Sequence, residues 1–230
     1  MLVLIWGVVS VRSSDHFSRE FLLSKRPFAS SSADGCDYVL HNVETYFEIE
    51  KRKHRGGRTK RSAIFLNVHG RDNFESLASK SFFEKSSIIC FTETWLTENK
   101  STPWLQDKDH FVSHAQKHKR GRPFGGIEVY VSRYLQAVEL SSSPNHLAVS
   151  VGASEIIVAY YKPGMDLDDV ISDLAVALTK CPNKSEIILG GDLNLHYGSD
   201  NFKAVEDFLD GHNIVLKSDP TIPTFHYPKG

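Results

Sequence analysis

The sequence predicts an α/β fold in which two sheets pack face to face with helices on their outer faces. Three observations carry that prediction. From Ser62 onward short apolar runs recur: AIFLNV (63–68), SSIICF (86–91), GIEVYV (126–131), LAVSV (147–151), EIIVAY (155–160) and EIILG (186–190). Each has strand length, is rich in Ile, Val and aromatics, and is bounded by Gly, Pro, Ser or Asn. Two longer segments carry apolar residues at helical spacing instead. Finally, GGIEVYV, LAVSV and EIIVAY follow one another with no helix between them, which fits two packed sheets and not a simple βαβ repeat.

Residues 1–61 differ in composition from the rest. MLVLIWGVVSVRSS (1–14) is apolar for about one strand's length. No positive segment precedes it and it is too short to span a bilayer, so it carries a faint signal-peptide pattern and no membrane role. A Ser-rich stretch follows, then KRKHRGGRTKR (51–61), in which seven of eleven residues are Lys or Arg. With two adjacent glycines and no apolar periodicity, this run reads as a solvated linker. It closes a poorly ordered leader over 1–61 and leaves one domain over 62–230. Lys51, Arg52, Lys53, Arg55, Arg58, Lys60 and Arg61 are the candidate nucleic-acid contacts, and the run suits a nuclear-import signal as well. A plain charged surface fits it too.

Within the domain, NFESLASKSFFE (73–84) reads as a helix after the first strand. DLDDVISDLAVALTKC (166–181) sets Leu167, Val170, Ile171, Leu174, Ala177 and Leu178 on one stripe, with Asp166 as N-cap. DNFKAVEDFLDG (200–211) turns Phe202, Val205 and Leu209 inward, with Asp200 opening the helix and Gly211 closing it. The 230 residues are 40% hydrophobic and carry a net charge of −1. That composition supports a core for most of the length but no global field drawing the chain to nucleic acid or membrane. Cys36, Cys90 and Cys181 are odd in number and far apart, so they indicate neither a metal-type spacing nor a disulfide framework; Cys90 and Cys181 read as buried thiols. No Rossmann or P-loop glycine pattern is present, since Gly190-Gly191 precedes Asp rather than Lys-Ser/Thr.

Polar residues gather where the strands stop. Asn67 closes FLNVHG, Glu93 follows in IICFTETWL, Tyr160 and Tyr161 end IIVAYYKPG, and Asp192 and Asn194 end IILGGDLNLHYG. Sites in α/β sheets lie beyond strand ends, where loops converge over a rigid floor. Asp192 and Asn194, two apart on a strand extension, are expected to share a face beside two glycines that let a ligand approach. A carboxylate among neutral donors suits Mg²⁺, which needs one or two carboxylates plus substrate phosphate. Glu for the metal, Asp for the water, and Asn and Tyr for phosphate oxygens supply the parts of phosphodiester cleavage. Each residue also has a structural reading: Asn67 as a turn cap, Glu93 as a helix start near Thr92, Tyr161 as core, Asp192-Leu193-Asn194 as an Asx-type turn.

In order and spacing, FLNVHG, IICFTETWL, PFGGIEVYVS, VAYYKPG, IILGGDLNLHYG and PTFHYPKG resemble the motifs of the endonuclease/exonuclease/phosphatase superfamily over about residues 62 to 230. Within it they are most similar to the apurinic-type endonuclease domain of non-LTR (LINE-like) retrotransposons. The resemblance implies a four-layered α/β/β/α sandwich of two mixed sheets with outer helices. It implies Mg²⁺-dependent phosphodiester hydrolysis, with Mn²⁺ as the alternative ion. In retrotransposons the nick exposes a 3′ hydroxyl that primes reverse transcription, so DNA and a reverse transcriptase domain in a longer parent protein are the implied partners.

Carried over residue by residue, the resemblance makes Glu93 and Asn67 the metal residues, with Asn67 also supporting the catalytic network. Tyr161, rather than Tyr160, aligns with the Tyr-x-Pro motif and would contact the scissile phosphate. Asp192 would orient or deprotonate the water, and Asn194 would help hold the phosphate. Gly125 and Gly126 open the GGIEVYV strand. His69, His196 and His226 lie near motifs, and none is assigned the family's catalytic His. The family's closing segment carries an Asp after PTFH…PKG and a terminal Ser-Asp-His. This sequence stops at Gly230 before either, so the resemblance implies a domain short of its last strands, with a rate lowered by ~10²–10⁴-fold. Two other readings share these residues: the same fold acting on an inositol phosphate, a lipid head group or RNA, and a non-catalytic remnant binding nucleic acid through 51–61 in a salt-dependent way.

Overall fold

Alternating burial along each strand sorts the side chains onto two faces, and that sorting positions everything below. The computed structural model describes residues 45–52, 58–72, 83–98, 103–117, 121–152, 154–181, 187–196 and 198–214, with backbone alone for 45–52 and 58–62. β1 (Thr45–Arg52), β2 (Arg58–Asn67), β3 (Ile88–Thr92), β4 (Lys108–Ser113) and β5 (Ile127–Ser132) form a five-stranded sheet in the order β1-β2-β3-β5-β4. β2 and β3 run parallel and the other neighbours antiparallel. A 3₁₀ turn at Arg133–Leu135 then leads into a second sheet. This sheet holds β6 (Ala137–Ser142), β7 (His146–Val151), β8 (Ser154–Tyr160) and β9 (Ile187–Asp192) in sequential order, with β8 and β9 parallel.

Between the sheets lie Ala63 and Phe65 of β2, Ile88 and Cys90 of β3, Val129 of β5, Ile156 and Val158 of β8, and Ile188 of β9. Their sequence neighbours point the other way. Ile157, Ala159, Leu189 and Leu193 pack under α1 (Leu167–Thr179) and α2 (Asp200–Gly211), against Val170, Leu174, Phe202, Val205 and Leu209. On the outer face of the first sheet, Ile64, Leu66, Ile89, Phe91 and Tyr130 meet Phe83 and Leu105. The architecture is the expected α/β sandwich of two mixed sheets. Burying a Leu, Ile or Phe stabilises by about 1.5–3 kcal/mol each, so the two-faced strands supply the main cohesion. Cys90 and Cys181 are buried free thiols, as expected; Cys36 lies outside the described residues.

Several expectations are corrected here. The basic run is not wholly a linker: Lys51 and Arg52 end β1, and Arg58, Lys60 and Arg61 lie in β2, with Lys51 paired to Thr59 and Arg52 to Arg58. The sheet therefore begins at Thr45, before the expected boundary at 62. The strand signal is there in TYFEI (45–49), rich in aromatic and β-branched residues, but the charges that follow obscure it. Lys53 and Arg55 lie outside the described residues, as do the leader 1–44 and the closing PTFHYPKG. So does the expected helix 73–84, except for Phe83 and Glu84, which are helical. β4 (KDHFVS) and β6 (AVELSS) were not expected as strands. Both are edge strands, where charged and polar side chains are tolerated and an apolar run is not needed.

The helix caps differ in detail. Asp166 caps α1 as expected, its carboxylate accepting from the Asp168 N–H at 2.9 Å. α2 is capped by Ser199, whose hydroxyl accepts from the Phe202 N–H at 3.1 Å, and Asp200 is the first helical residue. An acid there still faces the positive end of the helix dipole. Nor does Gly211 turn the chain out of α2. Asn213 takes the left-handed conformation at φ +58°, and the Ile214 N–H donates back to the Leu209 carbonyl.

Candidate active site

Two parallel strand pairs, β2 with β3 and β8 with β9, end at the same edge of the sandwich. Asn67, Tyr160 and Asp192 have the parity of the inter-sheet residues, so the alternation that fills the core also aims these three at one another where the strands stop. Asn67 Nδ2 donates to Asp192 Oδ2 at 2.9 Å across the two sheets, a bond between residues 125 apart in sequence. Asn67 Oδ1 accepts from the His69 N–H at 3.1 Å. Tyr160 OH donates to Glu93 Oε1 at 2.7 Å, and His69 Nδ1 sits 2.7 Å from Glu93 Oε2.

The backbone under these groups is unusual. His69, Glu93, Trp95 and Asn194 all adopt positive φ, from +45° to +56°. For residues other than glycine, such conformations are sparsely populated and cost about 1–3 kcal/mol each. Bonds from Val68 to Thr92, Gly70 to Glu93 and Arg71 to Thr94 hold the two loops together beyond the parallel ladder. Arg71 then anchors the first loop, its guanidinium 2.7 Å from the fully buried Glu128. Strain at four points around one cluster marks a place whose geometry the surrounding fold enforces.

The two carboxyls are driven apart in acidity. Burial pushes Asp192 up to about 7, against the opposing bonds from the Asn194 N–H and Asn67, with the charge of Glu93 adding to the rise. Burial acts on Glu93 in the same sense, but bonds from His69 and Tyr160 and the charge of His69 outweigh it and hold Glu93 below its ordinary value. Neighbouring acids with separated pKa values are the usual arrangement for dividing proton transfer from charge stabilisation.

Three expectations about this site change. Tyr161 does not face it: one residue beyond Tyr160, it belongs to the opposite face, fully buried under the helices, with its hydroxyl donating to Asp173 Oδ2 at 3.1 Å. Tyr160, which the Tyr-x-Pro alignment does not select, is the tyrosine at the carboxyls. What Tyr161 offers the site is backbone: its N–H donates to the Asp192 carbonyl at 2.9 Å and its carbonyl accepts from Asn194 Nδ2 at 2.8 Å. Asp192 and Asn194 do not share a strand face either. The strand ends at Asp192, Asn194 turns left-handed, and its N–H donates to Asp192 Oδ1 at 3.0 Å as in an Asx turn.

The two glycines, expected to admit a ligand, admit the protein itself. A Cβ at Gly190 would lie 2.5 Å from the Phe65 ring, and one at Gly191, where φ is +136°, 1.9 Å from the Ala159 carbonyl oxygen. Asn67 has both amide atoms engaged within the network: Nδ2 supports Asp192, and Oδ1 accepts one bond from the His69 N–H, which leaves it a second lone pair. His69, to which the motif resemblance assigns no role, stands at Glu93. Its place in FLNVHG, two after Asn67, was the available signal.

Among the described residues no group of three or more His, Cys, Asp or Glu is gathered to hold a metal ion. The donor chemistry nonetheless fits Mg²⁺ or Mn²⁺. Glu93 keeps free lone pairs on both oxygens beside a second carboxyl, and such ions are bound by one or two carboxylates with water and phosphate completing the shell.

A hydrogen bond to a charged group is worth about 1.5–3 kcal/mol, so Tyr160→Phe is expected to lower kcat by roughly 10-fold or more. Tyr161→Phe, which keeps the backbone bonds to Asp192 and Asn194, is expected to change kcat by less than about threefold. Steady-state hydrolysis by the two variants checks this, and the reverse order would return the phosphate-facing role to Tyr161.

The model of the endonuclease/exonuclease/phosphatase family matches residues 64–229, well over half of the chain. No curated protein matches the sequence.

Proposed function

The chain belongs to the endonuclease/exonuclease/phosphatase family, and from that premise we propose that its substrate is DNA, nicked in the manner of a retrotransposon-type endonuclease. Family membership gives the reaction class, hydrolysis of phosphodiester or phosphate-ester bonds, in enzymes that generally use divalent metals. The observation that carries the proposal is Asp192, shifted to about 7 and held by Asn67 and the Asn194 N–H beside an ionised Glu93. An acid with that affinity accepts a proton from water near neutral pH.

Glu93 would hold the divalent cation, Mg²⁺ or Mn²⁺, which supplies charge neutralisation at the phosphate oxygens. Tyr160 and His69 fix the Glu93 carboxylate from either side. Asn67 fixes Asp192 from the opposite sheet, so the acceptor for the water's proton does not rotate. Strand-end packing keeps bulk water off Asp192, 1% exposed, which is what raises its proton affinity. DNA as partner, a reverse transcriptase domain in the same protein, and a nuclear place of action belong to this reading, supported by the ordered motifs from FLNVHG to IILGGDLNLHYG. Among the described residues no helix is long and apolar enough to cross a membrane.

The test is conversion of supercoiled plasmid to nicked circles with Mg²⁺, run beside RNA and phosphoinositide substrates. Nicking abolished by EDTA and restored by added Mg²⁺ is the expected result. Hydrolysis of the phosphoinositide or RNA with plasmid left intact would move the same site to another phosphate ester. Absence of hydrolysis on every substrate would defeat the enzymatic reading.

A further inference from the structure

His69 meets Glu93 where the loop leaving β2 and the loop leaving β3 are locked together. Its Nδ1 lies 2.7 Å from Glu93 Oε2, while Tyr160 holds the other carboxylate oxygen. The backbone fixes this pair from both sides. The His69 N–H donates to Asn67 Oδ1 at 3.1 Å, and the Gly70 N–H donates to the Glu93 carbonyl at 2.8 Å. Both residues adopt positive φ, +45° at His69 and +52° at Glu93. Gly70 tightens the constraint: a Cβ there would stand 2.4 Å from the Trp95 ring, so the turn that carries His69 has room only for glycine. Strained, cross-bonded backbone thus sets an imidazole beside a carboxylate.

The pair has the dimensions of two metal ligands. Two donors at right angles around an octahedral ion, each about 2.1 Å from it, stand about 3 Å apart. The observed 2.7 Å is close to that. The imidazole is 42% exposed and the carboxylate 15%, which leaves room for water and substrate phosphate to complete a shell. Asp192 is near enough for the charge of His69 to oppose, in part, the dominant effect of burial on its carboxyl. Nitrogen changes the chemistry of such a site. Carboxylates and water suit Mg²⁺, whereas imidazole suits first-row transition ions, whose affinity rises from Mn²⁺ to Co²⁺ and Ni²⁺.

We propose that His69 is a ligand of the divalent cation, through Nδ1 beside Glu93 Oε2, and that it makes the site prefer a first-row transition ion to Mg²⁺. The ion takes the place of the proton that the two atoms share, and the ring keeps a hydrogen on Nε2. This rests on the divalent-metal reading of Glu93 above, and adds to it a second donor and the class of ion it selects. A side chain that only held Glu93 in place would serve every ion alike, whereas a nitrogen donor discriminates among them.

The experiment is calorimetric titration of the full, metal-stripped chain with Mg²⁺, Mn²⁺ and Co²⁺ at one fixed pH. Asparagine is tolerated at positive φ, so His69→Asn keeps the loop. It is expected to weaken Co²⁺ binding by about 10-fold or more and Mn²⁺ binding by less, with Mg²⁺ changed by less than about threefold. His212→Gln, an exposed histidine at the end of α2, leaves all three unchanged. Suppose Glu93→Gln removes binding but His69→Asn weakens the three ions equally or not at all. His69 is then a support of Glu93 only, and the metal reading stands without this proposal. A wild type that binds none of the ions, or binding that Glu93→Gln leaves intact, removes the metal from this site and the proposal with it.

Discussion

Asp192→Asn is expected to lower kcat by ~10²–10⁴-fold, the loss typical of a general base, and to stabilise the metal-free protein above neutral pH. Both effects come from one cause. Asp192 is 1% exposed, and burial raises its carboxyl from an ordinary 3.8 to about 7. The folded protein therefore holds a proton that the unfolded chain releases near pH 4. Where the folded state binds more protons, stability falls as pH rises. The decline runs from about 4 to about 7, amounts to roughly 4 kcal/mol, and persists at higher pH. D192N carries no titrating group there and escapes it.

Thermal melts in EDTA at pH 5 and pH 8 read the stability half. The wild-type Tm is expected to drop between them more than that of D192N, and equal drops would refute the burial argument. Rates read the other half: wild-type hydrolysis is expected to climb between pH 6 and 8 as Asp192 ionises. A site that costs stability in the form that works is a familiar compromise between folding and function.

Glu128→Leu is expected to destabilise the fold by about 3–5 kcal/mol, the range for removing one partner of a buried pair. Glu128 is fully buried on the outer face of the first sheet. A single oxygen, Oε1, accepts from Arg71 Nη1 at 2.7 Å and Tyr130 OH at 2.9 Å, and lies 2.7 Å from His110 Nε2. Deleting the carboxylate removes the charge that Glu128 Oε1 sets 2.7 Å from the buried guanidinium. It also releases the loop that carries His69 to Glu93, so hydrolysis falls with stability. Arg71→Met/Glu128→Leu, which removes both charges and keeps the volume, is expected to recover much of the lost stability. Urea unfolding of the wild type, the single and the double variant measures this coupling. Additive losses would mean that the pair does not act as a unit.

What could be read from the sequence depended on whether the signal was local. β2, β3, β5, β7, β8 and β9 announce themselves because both faces of each are buried, so apolar residues run continuously. The stripes of α1 and α2 are legible for the same reason, a period of 3.6 set by one covered face. β4 and β6 were silent because an edge strand needs no such run, and β1 was hidden by its own charges. Ser199 outranked Asp200 as the cap of α2 by a single residue, a margin below what composition resolves.

The site divides along the same line. That Asn67, Glu93 and Asp192 stand at strand ends was legible from the sequence, because a polar residue closing a buried strand is a local contradiction. Which tyrosine serves the site was not. Tyr160 and Tyr161 are adjacent and chemically identical, and only strand parity against a second sheet distinguishes them. The rest of the site lay further beyond reach: an amide on β2 meets an acid on β9 only once two sheets stack. The chain by itself determined the strands, the helices and the polar residues at their ends, since each follows from neighbours a few positions away. The tertiary structure alone decided which of those residues face one another and how far burial shifts Asp192, because each arises from groups brought together across the sandwich.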